Sequence, residues 1–473
     1  MTDLTDNTDE TDETAPAEPA AAPSPLRHVA RHVIDFDGAT SGSHPLTWAQ
    51  RFQLGQRCAP HLDGLRNVNV RMVWPLEGAP DLASVTRAIG RVLARSESLR
   101  SRYPRVGDVY GDPVVLAAGS VVAEQYAADT PHDTDALADL AEQMAWPGFQ
   151  LEDQPVRFAV ITVEDRPTDL VLTLHHGAAD AVGAETVARH VARLAADPEA
   201  NLRVSWQPRE IAAYEAGEAG RAYARDADDH DRAALRNAPM PGLSGPREEP
   251  QGIVYHFVNL KSHVIAPALG LLAARHRVTA AAVLLAAYSK ALADYDGLDQ
   301  CAVNLVSSNR QTPQTREAIA HLVGVVLCAV DTRTDDFGVL CRTAGAAMLR
   351  ALRYGRRDPD LFAASLDQAS ATLGRSAANA YFVNIRPIDP ARLTEAGTAL
   401  GDDPGAAIAR LAEATELLDI SGFGEAYSGE VTFDVWHVGE TSSLTLGTDS
   451  STYDAGDLEA ILRRMEAILR AAV

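Results

Sequence analysis

Near the middle of this 473-residue chain, the stretch RNAPMPGLSGPREEPQG (Arg236 to Gly252) holds four prolines and three glycines. Proline fixes φ and removes a backbone donor, and glycine weakens helix and strand alike, so no regular element is expected to run through it. It divides the chain into two parts of roughly 200 residues, each the size of an ordinary domain, and the whole exceeds what one core usually holds. The expected organisation is a lobe over residues 26–235, a linker over 236–252 and a second lobe over 253–473. Residues 1–25, MTDLTDNTDETDETAPAEPAAAPSP, are acidic and nearly lack large apolar side chains, so a disordered tail is expected there.

Each lobe mixes strand and helix patterns. In the first, LASVTRAIGRVLARSESLRSRY carries Leu82, Val85, Ile89, Val92 and Leu93 at helical spacing, while NVRMVWPL, VRFAVITV and DLVLTLHH read as strands. In the second, GIVYHFVNL leads into two helical patterns between Ile265 and Tyr295, followed by the strand QCAVNLVSS. Further strands are expected in HLVGVVLCAVDTR, NAYFVNIRP and EVTFDVWHVGETSSLTLGTDS, and a closing helix in AGDLEAILRRMEAILRAAV. No regular βαβ alternation is present, so the fold class is α+β rather than a doubly wound sheet.

The most apolar segment, VTAAAVLLAAYSKALADY, is interrupted by Lys290 and reads as a buried helix rather than a membrane span. With no basic-then-apolar leader the expected compartment is the cytoplasm, and a monomer is expected. Cys58, Cys301, Cys328 and Cys341 show neither CxxC nor zinc spacing, as structural thiols in a reducing compartment would. A net charge of −23 argues against nucleic acid and against an anionic membrane as partners. The one basic cluster, Arg350, Arg353, Arg356 and Arg357, is read as a solvated helix end, with a docking patch as the alternative.

The chemistry concentrates in VLTLHHGAADAVGAETVARHVARL (Val171 to Leu194), where His175 and His176 close an apolar run and Asp180 follows four residues later. Three readings stand open on the residues alone. The pair can be structural at a strand exit. His176 and Asp180, four apart, could offer two ligands to a metal, but no partner segment supplies a third, so no metal is expected. A nucleophile elbow at Gly374 and Ser376 of LGRSAA is weighed as well, but Ala378 replaces its final glycine and no strong strand precedes it.

LHHGAADAVG resembles the HHxxxDG signature of the condensation domains of nonribosomal peptide synthetases and their acyltransferase relatives. HPLTWAQRFQL, RSESLRSRYP, PGFQLEDQPVRFAVI, RVTAAAVLLAAYSKALADYDGLDQCAVNLVSSNR and HLVGVVLCAVDTR resemble other segments of that family in the same order, over roughly residues 44–335. The resemblance implies two chloramphenicol acetyltransferase-like lobes in a V-shaped pseudo-dimer with a central tunnel. It implies a donor acyl or aminoacyl thioester on the phosphopantetheine arm of a carrier protein, no tightly bound cofactor, and an amine or alcohol acceptor.

By the same carry-over, His176 is the residue that accepts a proton from the nucleophile or holds it in place, and His175 supports it. An imidazole with an ordinary pKa near 6.5 suits the first role. Asp180 is a structural partner of Arg310 of SSNR. The family glycine after the aspartate is Ala181 here, and the N–H groups of Ala181 and Val182 at the start of a helix are candidates for facing a developing oxyanion. Cys328 stands where the family often has asparagine.

The activity expected is that of a free-standing condensation enzyme forming an amide or ester in specialised-metabolite biosynthesis. The alternatives are a coenzyme A-dependent acyltransferase of the same fold and a non-catalytic homologue that recruits other enzymes.

Overall fold

The computed structural model describes residues 25–57, 69–78, 80–106, 109–146, 148–149, 153–203, 205–237, 254–374, 377, 381–423, 431–449 and 453–473. Most of the expected tail and linker, together with Cys58, Ser376 and Ala378, lies outside these residues. At Arg236 and Asn237 the expected linker is corrected, because both still belong to a helix.

The first sheet comprises β1 (Arg27–Asp37), β2 (Val70–Pro75), β3 (Ala118–Ala127), β4 (Val156–Val163) and β5 (Arg166–Leu174), in the spatial order β1, β3, β4, β5, β2. All neighbours are antiparallel except β3 and β4. Glu164 and Asp165, both at positive φ (50° and 63°), form the tight turn between β4 and β5, and short polar or acidic side chains tolerate that backbone best.

The helices of this half are α1 (Trp48–Phe52), α2 (Leu82–Arg95), α3 (Thr134–Ala145) and α4 (Ala181–Ala196). They cover both faces of the sheet, and this explains the unbroken apolar run of β5. Leu170, Leu172 and Leu174 share a core with the buried faces of α2 and α4, while Val171 packs with Leu137, Leu140 and Ala141 of α3. Strand β5 is thus held from both sides up to its last residue, and His175 leaves it at that point.

Two further helices, α5 (Pro208–Ala216) and α6 (Glu218–Asn237), precede the central break. Helix α6 packs on elements that come after the break: His230 Nε2 lies 2.9 Å from the carbonyl oxygen of Leu327, and Tyr223 donates its hydroxyl proton to the carbonyl of Arg353 at 2.9 Å.

The second sheet runs β8, β7, β9, β11, β12, β6, β10 across β6 (Val254–Ser262), β7 (Gln300–Ser307), β8 (Gly324–Asp331), β9 (Tyr381–Ile385), β10 (Glu416–Asp419), β11 (Val431–His437) and β12 (Ser442–Asp449). Strand β9 is parallel to both of its neighbours, and the other pairs are antiparallel. The helices here are α7 (Ile265–His276), α8 (Ala280–Asp296), α9 (Phe337–Leu352), α10 (Pro359–Leu373), α11 (Pro390–Thr398), α12 (Pro404–Ala412) and α13 (Ala455–Ala472).

Among the described residues no single helix is long and apolar enough to cross a membrane; α7 and α8, apolar together, meet at 105°. The apolar run read as a buried helix is α8, starting at the Thr279 cap and stopping at Gly297 in the left-handed region. The mixture is α+β with no regular βαβ alternation, although β3, α3 and β4 form one such unit.

The arginine cluster does not behave as one solvated helix end. Arg350 and Arg353 are exposed, but Arg356 reaches Glu215 at 3.1 Å and Arg357 is buried 3.5 Å from Asp231 with its guanidinium over the Phe362 ring. Helices α5 and α6 bring the buried carboxylates Glu215 and Asp231 to this corner, where burial pushes both pKa values up and the paired arginines oppose it.

In the second core Tyr288 of α8 and Phe433 of β11 stack at 4.3 Å and 5°, both fully buried, and the Tyr288 hydroxyl has no hydrogen-bond partner. Replacing Phe433 by Ala is expected to cost about 3 to 5 kcal/mol. Tyr288→Phe, which removes an unsatisfied hydroxyl and keeps the ring, is expected to be neutral or stabilising by up to about 1 kcal/mol. Urea unfolding followed by tryptophan fluorescence checks both, and a loss of more than about 1 kcal/mol for Tyr288→Phe refutes the second.

Candidate active site

Beyond β5 the chain makes a tight turn and enters α4. The carbonyl of His175 accepts from the N–H of Ala178 at 2.8 Å, its own N–H donates to the carbonyl of Pro155 at 2.9 Å, and Asp180 caps the helix by accepting the Gly183 N–H at 2.8 Å. Two groups from distant segments fix this turn from outside. Gln50 of α1 donates its amide N–H to the carbonyl of Gly177 at 2.8 Å, and the Tyr103 hydroxyl donates to the same oxygen at 2.9 Å. Ser98 donates its hydroxyl to the carbonyl of Ala178.

His175 is buried in an aromatic box: Tyr103 stacks on it at 5.1 Å, Tyr110 lies tilted at 6.0 Å, and Phe149 meets it edge-on at 6.0 Å. Its Nδ1 accepts the N–H of Gly177 at 3.2 Å, which fixes the neutral ring in the form protonated on Nε2. Burial first, and the neighbouring His176 second, push its pKa down to about 4.

His176 is half-buried, on the side where the two halves of the chain meet. Its Nδ1 lies 3.2 Å from Nδ1 of His321, a buried residue of the irregular segment before β8, and the rings are perpendicular (78°) with centroids 4.9 Å apart. Burial, followed by His176, brings the His321 pKa down to about 3, while Asp180 opposes that shift.

Asp180 and Arg310 form the other junction. Arg310 Nη1 donates to Oδ2 at 2.9 Å, and Nη2 lies 2.8 Å from Oδ1. The N–H groups of Leu322 and Val323 also donate to Oδ2, at 2.8 and 2.9 Å. Arg310 donates further to the carbonyls of Ser308, Ala318 and Ala320 at 3.0 to 3.2 Å. Burial alone would raise the Asp180 pKa, but Arg310 leads the charges and donors that hold it below the ordinary carboxylate value.

With both oxygens engaged in this way, Asp180 reads as a structural anchor rather than as the ligand weighed beside His176. Among the described residues no three His, Cys, Asp or Glu side chains gather where they could hold a metal ion.

Ala181 and Val182 open α4, and neither residue has positive φ, so the alanine methyl is accommodated by ordinary helical backbone. The glycine that matters here is Gly183, where a Cβ would come within 3.0 Å of the carbonyl oxygen of Ala320. Cys328 is buried in β8, its thiol pushed up by burial to about 12. A small cavity of about 20 Å³ lies between the halves, lined by Trp48, Phe52, Glu215, Asn309, Leu322 and Arg357 among others.

The structure therefore brings His175, His176, Asp180 and Arg310 together, with Ala181 and Val182 at the adjoining helix start. Sequence reasoning gave no role to Gln50, Tyr103 and His321, although all three lie inside segments that carry the family resemblance. For Gln50 and Tyr103 the spacing within those segments was the available signal, whereas only the fold could place His321 beside His176.

The family model for the Condensation domain matches residues 42–372, well over half of the chain. Malpinin synthetase of Mortierella alpina is 22% identical over 269 residues, which take in 54% of this chain and 3% of that much longer protein. Among solved structures, SgcC5 of Streptomyces globisporus, crystallised with (R)-(-)-1-(2-naphthyl)-1,2-ethanediol and sucrose, superposes with a TM-score of 0.68 at 18% identity, covering 90% of this chain and 98% of that one. The condensation domain that mediates chain release from the enacyloxin polyketide synthase gives 0.66 at 17% identity, with 92% and 83% covered. The first condensation domain of the CDA synthetase gives 0.61 at 18%, with 91% and 96% covered.

Removing either partner of the Asp180–Arg310 pair strands a buried charge, so Asp180→Ala and Arg310→Ala are each expected to cost about 3 to 5 kcal/mol, with the double variant costing less than the sum. Additive losses refute the coupling. The buried histidines set a second expectation. Below pH 6.5 the unfolded chain takes up protons that folded His175 and His321 refuse, so stability falls as pH drops from about 6.5 toward 4. The slope is at most about 2.7 kcal/mol per pH unit for the two rings together. The stabilisation from Asp180 persists through that window and is lost below about pH 4. Urea midpoints measured between about pH 7.5 and 4.5 check this, and a flat profile shows that the rings are not buried neutral.

Proposed function

The chain belongs to the condensation-domain family, and from that premise we propose that it is an acyl-transferring enzyme that joins a carrier-bound acyl or aminoacyl thioester to an amine or an alcohol. The observation that carries this reading is the half-buried His176, set at the end of a doubly covered strand and anchored through Asp180 to the other half of the chain. A base held where two halves meet can be reached by two substrates arriving separately.

The thioester arrives as substrate on the phosphopantetheine arm of a carrier protein, so the chain itself needs no tightly held cofactor. The acceptor nitrogen or oxygen attacks the thioester carbonyl while His176 takes its proton. The new C–N or C–O bond forms, the C–S bond breaks as the tetrahedral intermediate collapses, and the proton passes from His176 to the departing thiolate. The N–H groups of Ala181 and Val182, at the positive end of α4, are the donors assigned to the oxyanion. His175, neutral in its aromatic box, supports the turn and exchanges no proton near neutral pH. In this reading the enzyme takes its donor from a carrier protein in specialised-metabolite biosynthesis. SgcC5 was crystallised with a 1,2-diol, so diols are worth offering beside amines.

His176→Ala is expected to lower product formation by about 10² to 10⁴-fold with the fold intact by circular dichroism. The assay offers acyl groups loaded on a phosphopantetheinylated carrier protein to a panel of soluble amines and 1,2-diols, with products read by mass spectrometry. Unchanged turnover of the variant refutes the catalytic reading and favours a recruitment role. Efficient turnover with acyl-coenzyme A alone would move the enzyme to the coenzyme A-dependent class.

A further inference from the structure

The contact between His176 and His321 joins two imidazoles through the same ring position, Nδ1 to Nδ1 at 3.2 Å. Such a contact is favourable only when one nitrogen carries hydrogen and the other a lone pair, so the pair has two possible arrangements. In one, His321 donates and Nε2–H is the form of His176, which leaves the catalytic ring without a lone pair facing the substrate. In the other, His176 donates from Nδ1 and keeps its Nε2 lone pair.

The reaction separates the two. Once His176 has taken a proton it carries N–H on both nitrogens, and the first arrangement would then set two N–H groups against each other at 3.2 Å. The second keeps a donor facing an acceptor both before and after proton transfer.

We propose that His321 is the positioning residue of His176: its Nδ1 accepts the Nδ1–H of His176, fixes the ring and its tautomer, and leaves Nε2 as the base. This rests on the reading of His176 as the base. The role is the one that a carboxylate fills in many catalytic triads, performed here by a neutral ring. His321 is suited to it because it is buried and resists protonation. Besides His176, the groups acting on it are His175, Asp180 and Arg310; the two cations or potential cations hold its pKa down and only Asp180 pulls the other way.

Its backbone is fixed on both sides. Ala320 presents its carbonyl to Arg310 at 3.1 Å, and the Leu322 N–H is held by Asp180 at 2.8 Å. The carboxylate that caps the helix following His176 therefore also places the ring that orients it.

The test has a substrate-free arm and a kinetic arm, both on the full chain. In ¹⁵N-histidine-labelled protein at about pH 7.5, with signals assigned from the His176→Ala and His321→Leu variants, His176 Nδ1 is expected at the protonated position and Nε2 at the lone-pair position. The reverse overturns the proposal whatever the kinetics give. With acyl-loaded carrier protein and the most active acceptor of the amine and diol panel, His321→Leu is expected to lower kcat about 10²-fold with KM within about twofold. His321→Asn, whose amide oxygen can stand in for Nδ1 as acceptor, is expected to recover most of that loss, and it also covers the case where the leucine variant folds poorly. Native kcat in His321→Leu beside an inactive His176→Ala overturns the positioning role alone. Native turnover in His176→Ala overturns the underlying reading, and the tautomer measurement then decides the arrangement of the pair by itself.

Discussion

One carboxylate ties the two halves of this chain together at the point where its chemistry is placed. Asp180 is buried, and burying an anion is costly unless its oxygens are filled. Here they are filled by the Gly183 N–H from its own half and by Arg310, Leu322 and Val323 from the other. The start of α4, the turn that carries His176 and the segment that carries His321 all take their position from the same two oxygens. Gly183 completes the junction, since a Cβ there would sit 3.0 Å from the Ala320 carbonyl oxygen, and the two would have to part by a few tenths of an ångström.

The electrostatics around the histidines follow from this arrangement. His175 and His321 are neutral because burial denies them a second proton, while half-buried His176 lies between them. Two rings that burial keeps uncharged therefore neighbour the third. A single negative charge, Asp180, serves as scaffold and is matched by Arg310.

Much of this was legible in the sequence, for physical reasons that differ from element to element. Strand β5 could be read because a strand covered on both faces is apolar without alternation, and α2 and α13 could be read from their 3.6-residue periodicity. The linkage of Asp180 to Arg310, 130 residues apart, came through resemblance and not through any local rule. Strands β1 and β3, helices α3, α5 and α6, and the aromatic box around His175 were not read, because their apolar residues are diluted by charged or small ones. The inward turn of Arg356 and Arg357 escaped as well, since the carboxylates that draw them in, Glu215 and Asp231, lie more than a hundred residues away. His321 is the sharpest instance: a lone histidine ahead of a strand has no pattern to betray it, and its meaning arises only where two distant turns meet.

The crossing of α6 bears on how the molecule could be taken apart. Although α6 precedes the proline-rich break, its buried Asp231 pairs with Arg357 and its His230 meets the Leu327 carbonyl, so it completes a surface of the other half. A scission between Asn237 and Val254 would therefore release no pair of self-sufficient fragments. The first piece would carry a helix whose polar face needs the second, and the second would bare an arginine and a carbonyl that only the first can satisfy. The break in the sequence is a joint in the covalent chain, whereas the joint in the folded body lies earlier, ahead of α6.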